Sequence, residues 1–261
     1  MFSYICKNAP LKTRYFIFIS YKGTAFHGWQ LQPNSVTIQE LLDEALNKIL
    51  NEEINTTGAG RTDTGVHALA FCAHFDSVRP DLSSDGNLIF RLNRYLPKDI
   101  SVSYILKVRP DANARFSAIS RTYKYYISRK KNPFTNDSSW YIHGNIDIKT
   151  MNDTCGILMK HSDFTSFSRL HSDTRTNICK ILSAAWEENN DILIFTIKAD
   201  RFLRNMVRAI VGTIVETGRG KTTLKEFEEI ILARDRARAG KSAPAKGLFL
   251  ADIEYPEEIF I

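Results

Sequence analysis

The sequence predicts an α+β protein of two ferredoxin-like or RRM-like domains, with mixed or antiparallel sheets and a cleft between them. Three observations carry this. Short runs rich in β-branched and aromatic residues alternate in polarity, as strands do. Between them lie longer stretches whose apolar residues recur at helical spacing. The order of strands and helices before residue 110 also resembles the order after it, which divides the chain into 1–110 and 111–261 near Arg109-Pro110-Asp111.

In the first half, Arg14 to Tyr21 alternates and reads as a strand. Thr37-Ile38-Gln39-Glu40 is a capping box, and Ile38, Leu41, Leu42, Ala45, Leu46, Ile49 and Leu50 follow it at helical spacing. Ile54 to Thr57 is expected as a short strand and Leu69 to Val78 as a longer one, followed by a helix near Leu88 to Tyr95 and a strand from Ile100 to Val108. In the second half, Arg121 to Ser128 reads as a strand and Met151 to Lys160 as a helix. Strands are expected at Ile178 to Glu187 and Asp191 to Ala199, then a long helix from about Arg201 to Thr217 and a shorter one from Leu224 to Ala233. A strand from Leu248 to Tyr255 closes the order.

Composition narrows the class. The 261 residues are 43% hydrophobic and 25% charged, which fits a folded domain and excludes a disordered or fibrous chain. No apolar run approaches the roughly 18 residues of a membrane span, and the first ten residues lack a basic n-region, so a cytoplasmic protein without a membrane is expected. Cys6, Cys72, Cys155 and Cys179 are scattered, without a C-x-x-C pair or a histidine at zinc spacing, so they read as reduced packing thiols and no metal is expected.

The net charge of +6 is unevenly placed. Residues 1–100 carry ten basic and ten acidic groups, residues 101–150 nine against three, and residues 201–250 eleven against five. Localised basic segments suggest a polyanion partner, although charge alone fits a solvated basic surface equally well.

Asp63 stands out in Gly58-Ala59-Gly60-Arg61-Thr62-Asp63-Thr64-Gly65, where glycines permit positive φ and close backbone approach. Arg61 and a second cation nearby would hold its carboxylate ionised, ready to act as nucleophile or base. An ordinary turn with Asp63 bonded to backbone amides accounts for the same spacing. The loop has no phosphate-binding or dinucleotide-binding glycine pattern and offers one carboxylate where a glycosidase uses two. Cofactor-free chemistry on one carboxylate therefore fits better than redox chemistry or ATP hydrolysis.

Within the long helix, Leu203, Met206, Val207, Ile210 and Ile214 form an apolar stripe, and Arg201, Arg204 and Arg208 at i, i+3, i+7 are expected to share another face. Cations near a helix N-terminus oppose its dipole at about 0.3–1 kcal/mol each, which an anion such as phosphate or Asp63 would offset. Along Arg121 to Tyr126, alternation sends Arg121, Tyr123 and Tyr125 to one sheet face and Thr122, Lys124 and Tyr126 to the other. Cations among aromatics suit stacked bases and phosphates, and suit an aromatic core strand with exposed cations as well.

AGRTDTGVHA (59–68) resembles the signature loop of the TruA-type tRNA pseudouridine synthases. YKGTAFHGWQ (21–30), ARFSAISRTYKYYI (114–127), DFTSF (163–167), RFLRNMVRAIVG (201–212) and KGLFL (246–250) match in the same order, so the resemblance spans nearly the whole chain. It implies an isomerase that converts uridine to pseudouridine at positions 38, 39 and 40 of the tRNA anticodon arm, without cofactor, in an active-site cleft between the domains. It assigns Asp63 as the catalytic aspartate, Arg61 as a contact of the target nucleotide, Tyr123 as the ring stacked on the uracil and Arg208 as the partner of the carboxylate. Arg201, Arg204, Arg121 and Lys124 are expected as further RNA contacts. Thr64 stands where the family often has alanine, a small departure that leaves Asp63 intact. The resemblance further implies a homodimer with tRNA lying across both subunits. A non-catalytic RNA-binding protein on the same paired domains is the alternative.

Overall fold

The computed structural model describes residues 12–169 and 176–261, so Cys6 lies outside the described residues. In chain order the elements are β1 (Thr13–Tyr21), α1 (Ile38–Leu50), β2 (Thr57–Gly58), β3 (His67–Ser77), α2 (Gly86–Tyr95), β4 (Ile100–Lys107), β5 (Ser120–Ser128), β6 (Trp140–Tyr141), α3 (Ile148–Leu158), β7 (Ile181–Asn189), β8 (Ile192–Ala199), α4 (Met206–Gly218), α5 (Leu224–Ala233) and β9 (Leu248–Glu254). The α+β class expected from the sequence is present.

The strands form one mixed sheet in the order β4-β1-β3-β9-β5-β8-β7, with β2 on β3 and β6 on β5. β9 runs parallel to β3 and antiparallel to β5, so the last strand of the chain joins the two halves. Its pairing with β3 covers His67↔Phe249 and Ala68↔Leu250. Farther along β3, Thr57 and Gly58 of β2 pair with His74 and Ala73. The loop between β2 and β3 therefore turns at the seam between the halves.

Two apolar clusters cover the sheet. One packs α1 and α2 on β1, β3 and β4 around Tyr15, Phe71, Phe75, Leu42 and Leu88. The other packs α3, α4 and α5 on β5, β7 and β8 around Tyr125, Phe195, Phe167, Ile210 and Phe227. α1 follows its sequence signal closely. Thr37 and Glu40 form the reciprocal capping box, worth about 1 kcal/mol, and Ile38, Leu42, Ala45, Leu46 and Leu50 are buried. α4 is buried on nearly every side rather than along one stripe. Gly212 is needed there, because a Cβ would lie 1.9 Å from the Lys241 carbonyl of the segment crossing over the helix.

Several expected boundaries move for identifiable reasons. The short strand expected at 54–57 is confined to Thr57–Gly58. Side chains of α1 take the upstream backbone groups instead: Ile54 N–H donates to Asn47 Oδ1 and Thr56 N–H to Asp43 Oδ1. The strand expected from Ile178 begins at Ile181. The helix expected from Arg201 begins at Met206, because Asn205 adopts a left-handed conformation (φ 65°) that interrupts helical geometry. Arg201 and Arg204 thus precede the helix, and the common helical face expected for Arg201, Arg204 and Arg208 does not form.

Cys72, Cys155 and Cys179 are buried free thiols, pushed up by burial. No helix is long and apolar enough to cross a membrane among the described residues.

Two buried histidines tie the sheet to its loops. His67 Nδ1 accepts the Gly23 N–H, so the proton sits on Nε2, which faces the Asp137 and Lys246 carbonyls. His74 Nδ1 likewise accepts the Ala114 N–H. Burial lowers both pKa values, with the Arg14 charge adding to the fall at His74. Such groups take up protons more readily unfolded, so their stabilisation is full above the unfolded value of about 6.5 and is lost as pH falls below it. The urea midpoint is expected to drop between pH 7.5 and pH 5.5, and replacing either histidine with glutamine should flatten that dependence. A midpoint equal at both pH values would contradict the assignment.

Candidate active site

The loop between β2 and β3 is fixed from several directions. Val66 N–H closes a turn on the Asp63 carbonyl (3.1 Å), and the buried Thr62 hydroxyl meets the Tyr21 hydroxyl at 2.9 Å. Gly65 adopts φ +77°, which favours glycine. Gly58 is required by packing, since a Cβ there would lie 2.5 Å from the Trp29 indole. Gly60 faces open space. Gly28, which no local signal in the sequence singles out, lies outside the loop with φ +87°, its backbone so close to the Thr62 carbonyl that a Cβ has no room.

This loop presents Asp63, with 22% of its side chain exposed, to the N-terminal end of α4. Arg208 Nη1 lies 3.5 Å from one carboxylate oxygen and Arg204 Nε 3.6 Å from the other. The two arginines differ in how they are held. Arg208 is anchored by Nε donating to the Ala243 carbonyl at 2.7 Å, whereas Arg204 has about half its side chain exposed. α4 has no acidic residue in its first turn, so Asp63 supplies from another part of the chain the anion that a helix N-terminus and Arg208 favour. Offset by this carboxylate, the cation stands at an otherwise unfavourable position.

A cavity of about 340 Å³ opens beside the pair, lined by Asp63, Thr64, Arg169, Arg204, Asn205 and Arg208. Three arginines against one aspartate make it electropositive, suited to a phosphorylated ligand. Arg169 had no distinguishing sequence signal beyond its place just after Asp163–Phe167; its N–H donates to the Arg204 carbonyl. A larger hollow of about 890 Å³ lies on the opposite sheet face, around Tyr126, Phe249 and Ile194, away from Asp63.

Tyr123 is half-buried on the same sheet face as Tyr125, its ring edge-on to Phe202 with centroids 5.1 Å apart. Burial pushes its phenol up to about 12, with Arg121 opposing and the nearby Asp63 charge adding to the rise. It is a neutral phenol at neutral pH.

The other expected residues separate. Arg61 is exposed on the loop, and the cations within 4 Å of Asp63 among the described residues are Arg204 and Arg208, so the pairing expected from sequence proximity goes instead to distant arginines. Arg121 points inward, donating to the carbonyls of Ala59, Arg115, Ala118 and Asp200. Lys124 alternates to the opposite face from Tyr123. Arg201 lies in the segment before α4, its N–H donating to the Asp200 carboxylate.

A family model described as tRNA pseudouridine synthase matches residues 17–117 and 161–256. Proteins named tRNA pseudouridine synthase A are similar along nearly their full length. That of Parabacteroides distasonis is 51% identical over 250 residues, covering 95% of this chain and 98% of the relative. Those of Bacteroides fragilis (52% over 248 residues) and Porphyromonas gingivalis (44% over 250 residues) each cover 95% of this chain and 98% and 99% of theirs.

The loop's dependence on Gly28 is testable. A Cβ there would lie 2.3 Å from the Thr62 carbonyl at a φ that side chains rarely adopt. Gly28→Ala is expected to cost about 1–3 kcal/mol, lowering Tm by about 2–12 °C in a thermal melt. An unchanged Tm would show that the loop is not held there.

Proposed function

Because the chain belongs to the tRNA pseudouridine synthase family, we propose that Asp63 is its catalytic group and that uridines 38, 39 and 40 of the tRNA anticodon arm are its targets. The enzyme is an isomerase acting on tRNA. The observation that carries the assignment of Asp63 is its placement between Arg204 and Arg208, in an electropositive cavity. Two halves resembling ferredoxin-like domains, divided near residue 110, accord with the two cores and give the cleft a wall from each half. We further propose that the protein works in the cytoplasm as a homodimer with tRNA across both subunits.

The reaction breaks the N1–C1′ bond of uridine and joins C1′ to C5. N1 gains a proton, C5 loses one, and nothing is oxidised or hydrolysed. Asp63 acts on the sugar–base framework while the uracil is detached, and Arg208 orients the carboxylate through its ion pair. Arg204, less firmly held, pairs with the second oxygen. Tyr123 stacks on the ring as an uncharged phenol. Arg61, exposed on the same loop, reaches the target nucleotide. The target base leaves its stack to enter, as bases do in other enzymes that modify them.

Tritium release from unmodified tRNA labelled at uridine C5 tests this. Wild type is expected to release tritium from tRNAs with uridine at 38–40 and not from one lacking them; release from neither would reject the synthase reading. Asp63→Ala should slow release by at least about a thousandfold, as removal of an essential catalytic group does. Full activity in that variant would reject Asp63.

The two arginines should separate kinetically. Arg208→Ala is expected to lower kcat more than Arg204→Ala, because Arg208 is the one fixed by Ala243. Equal losses in steady-state assays would contradict that asymmetry. Log affinity should also fall linearly with log salt, as phosphate contacts require.

A further inference from the structure

Phe116 has 78% of its surface exposed, yet it sits on a turn tied by hydrogen bonds from both near and distant residues. Asn113 Oδ1 accepts the N–H groups of both Arg115 and Phe116, and Ser117 returns two bonds to the Asn113 backbone. The next anchors come from far along the chain. His74 accepts the Ala114 N–H, the Tyr255 hydroxyl donates to the Ala114 carbonyl, and Arg121 donates to the Arg115 carbonyl. Ala112 and Ala114 are buried beneath. A turn held this way fixes the point and direction from which the aromatic side chain leaves the backbone into water.

Its neighbours indicate what the ring meets. The Arg115 guanidinium lies over the Phe116 ring, 5.3 Å from its centroid. The Arg121 nitrogen bonded to the Arg115 carbonyl also donates to Ala59, on the loop that carries Arg61 and Asp63. An aromatic on a fixed turn beside a cation, coupled by one guanidinium to the Asp63 loop, has the composition of a surface for an unpaired base and its phosphate.

We propose that Phe116 and Arg115 form a base-stacking platform for an unstacked RNA nucleotide flanking the target uridine. The nucleotide's identity as a neighbour of the target rests on the function proposed above. Phe116 stacks on the base, Arg115 meets its phosphate, and Arg121 keeps the platform in register with Asp63. Because the backbone of the turn is preorganised, little backbone ordering is lost on binding.

The test uses the full chain and unmodified tRNA with uridine at position 39. Phe116→Ala is expected to raise KM for tRNA about 5- to 100-fold, the range of one lost base–aromatic stack, with kcat nearly unchanged. Its Tm should match wild type, because the side chain is exposed. Phe116→Trp should keep the wild-type KM, and its added tryptophan fluorescence should be quenched as tRNA binds. Arg115→Gln should reduce the salt slope by about one phosphate contact. If wild type is active while Phe116→Ala keeps its KM, the platform is wrong and the synthase reading stands. If wild type is inactive, that reading fails and the fluorescence decides: quenching by tRNA supports the platform, and no quenching at saturating tRNA overturns it.

Discussion

The two-residue parallel pairing of β3 with β9 is the constraint on which the site depends. So short a ladder is weak alone, and the side chain of His67 strengthens it. The imidazole stacks on Phe249 with ring centroids 4.4 Å apart, faces the Lys246 carbonyl with Nε2, and accepts the Gly23 N–H with Nδ1. Asp63 lies four residues before His67, so the same join that closes the sheet carries the carboxylate to the start of α4. A weak join would leave Asp63 and Arg208 in two independently moving halves.

Charge placement follows from that geometry. A carboxylate near a helix N-terminus and two guanidiniums meets favourable potential from all three, although only Arg208 is firmly held. Arg121 has a different office. Its guanidinium joins Ala59 of the loop, Arg115 of the exposed turn and Asp200 at the approach to α4 through backbone carbonyls. Losing it would loosen three segments together, which makes it an organiser of the site more than a surface contact.

Local signals were legible where local physics decides the outcome. The Thr37 capping box, the α1 face and the bounds of α5 follow the sequence because capping and amphipathic period act within a few residues. The start of α4 did not, since the apolar period runs unbroken through Arg201–Asn205 while Asn205 turns left-handed and bonds Ser242. Asp63 stood out by its loop and by resemblance, and Arg208 by resemblance. Arg169 carried no such mark, and Gly28 lay within the matched stretch 21–30 without standing out in it: one acts through the cavity it lines, the other through a carbonyl on a different segment.

By itself, the sequence determined the α+β class, most elements and the carboxylate proposed as the catalytic group, because period, caps and an ordered set of motifs are properties of neighbouring residues. The tertiary structure decided which cations hold that carboxylate. Arg61, two residues away, is exposed on the loop, whereas Arg208 reaches Asp63 across 145 positions of chain. A rigid loop directs adjacent side chains apart, while a closed sheet brings distant ones together, and no spacing along the chain reports that closure.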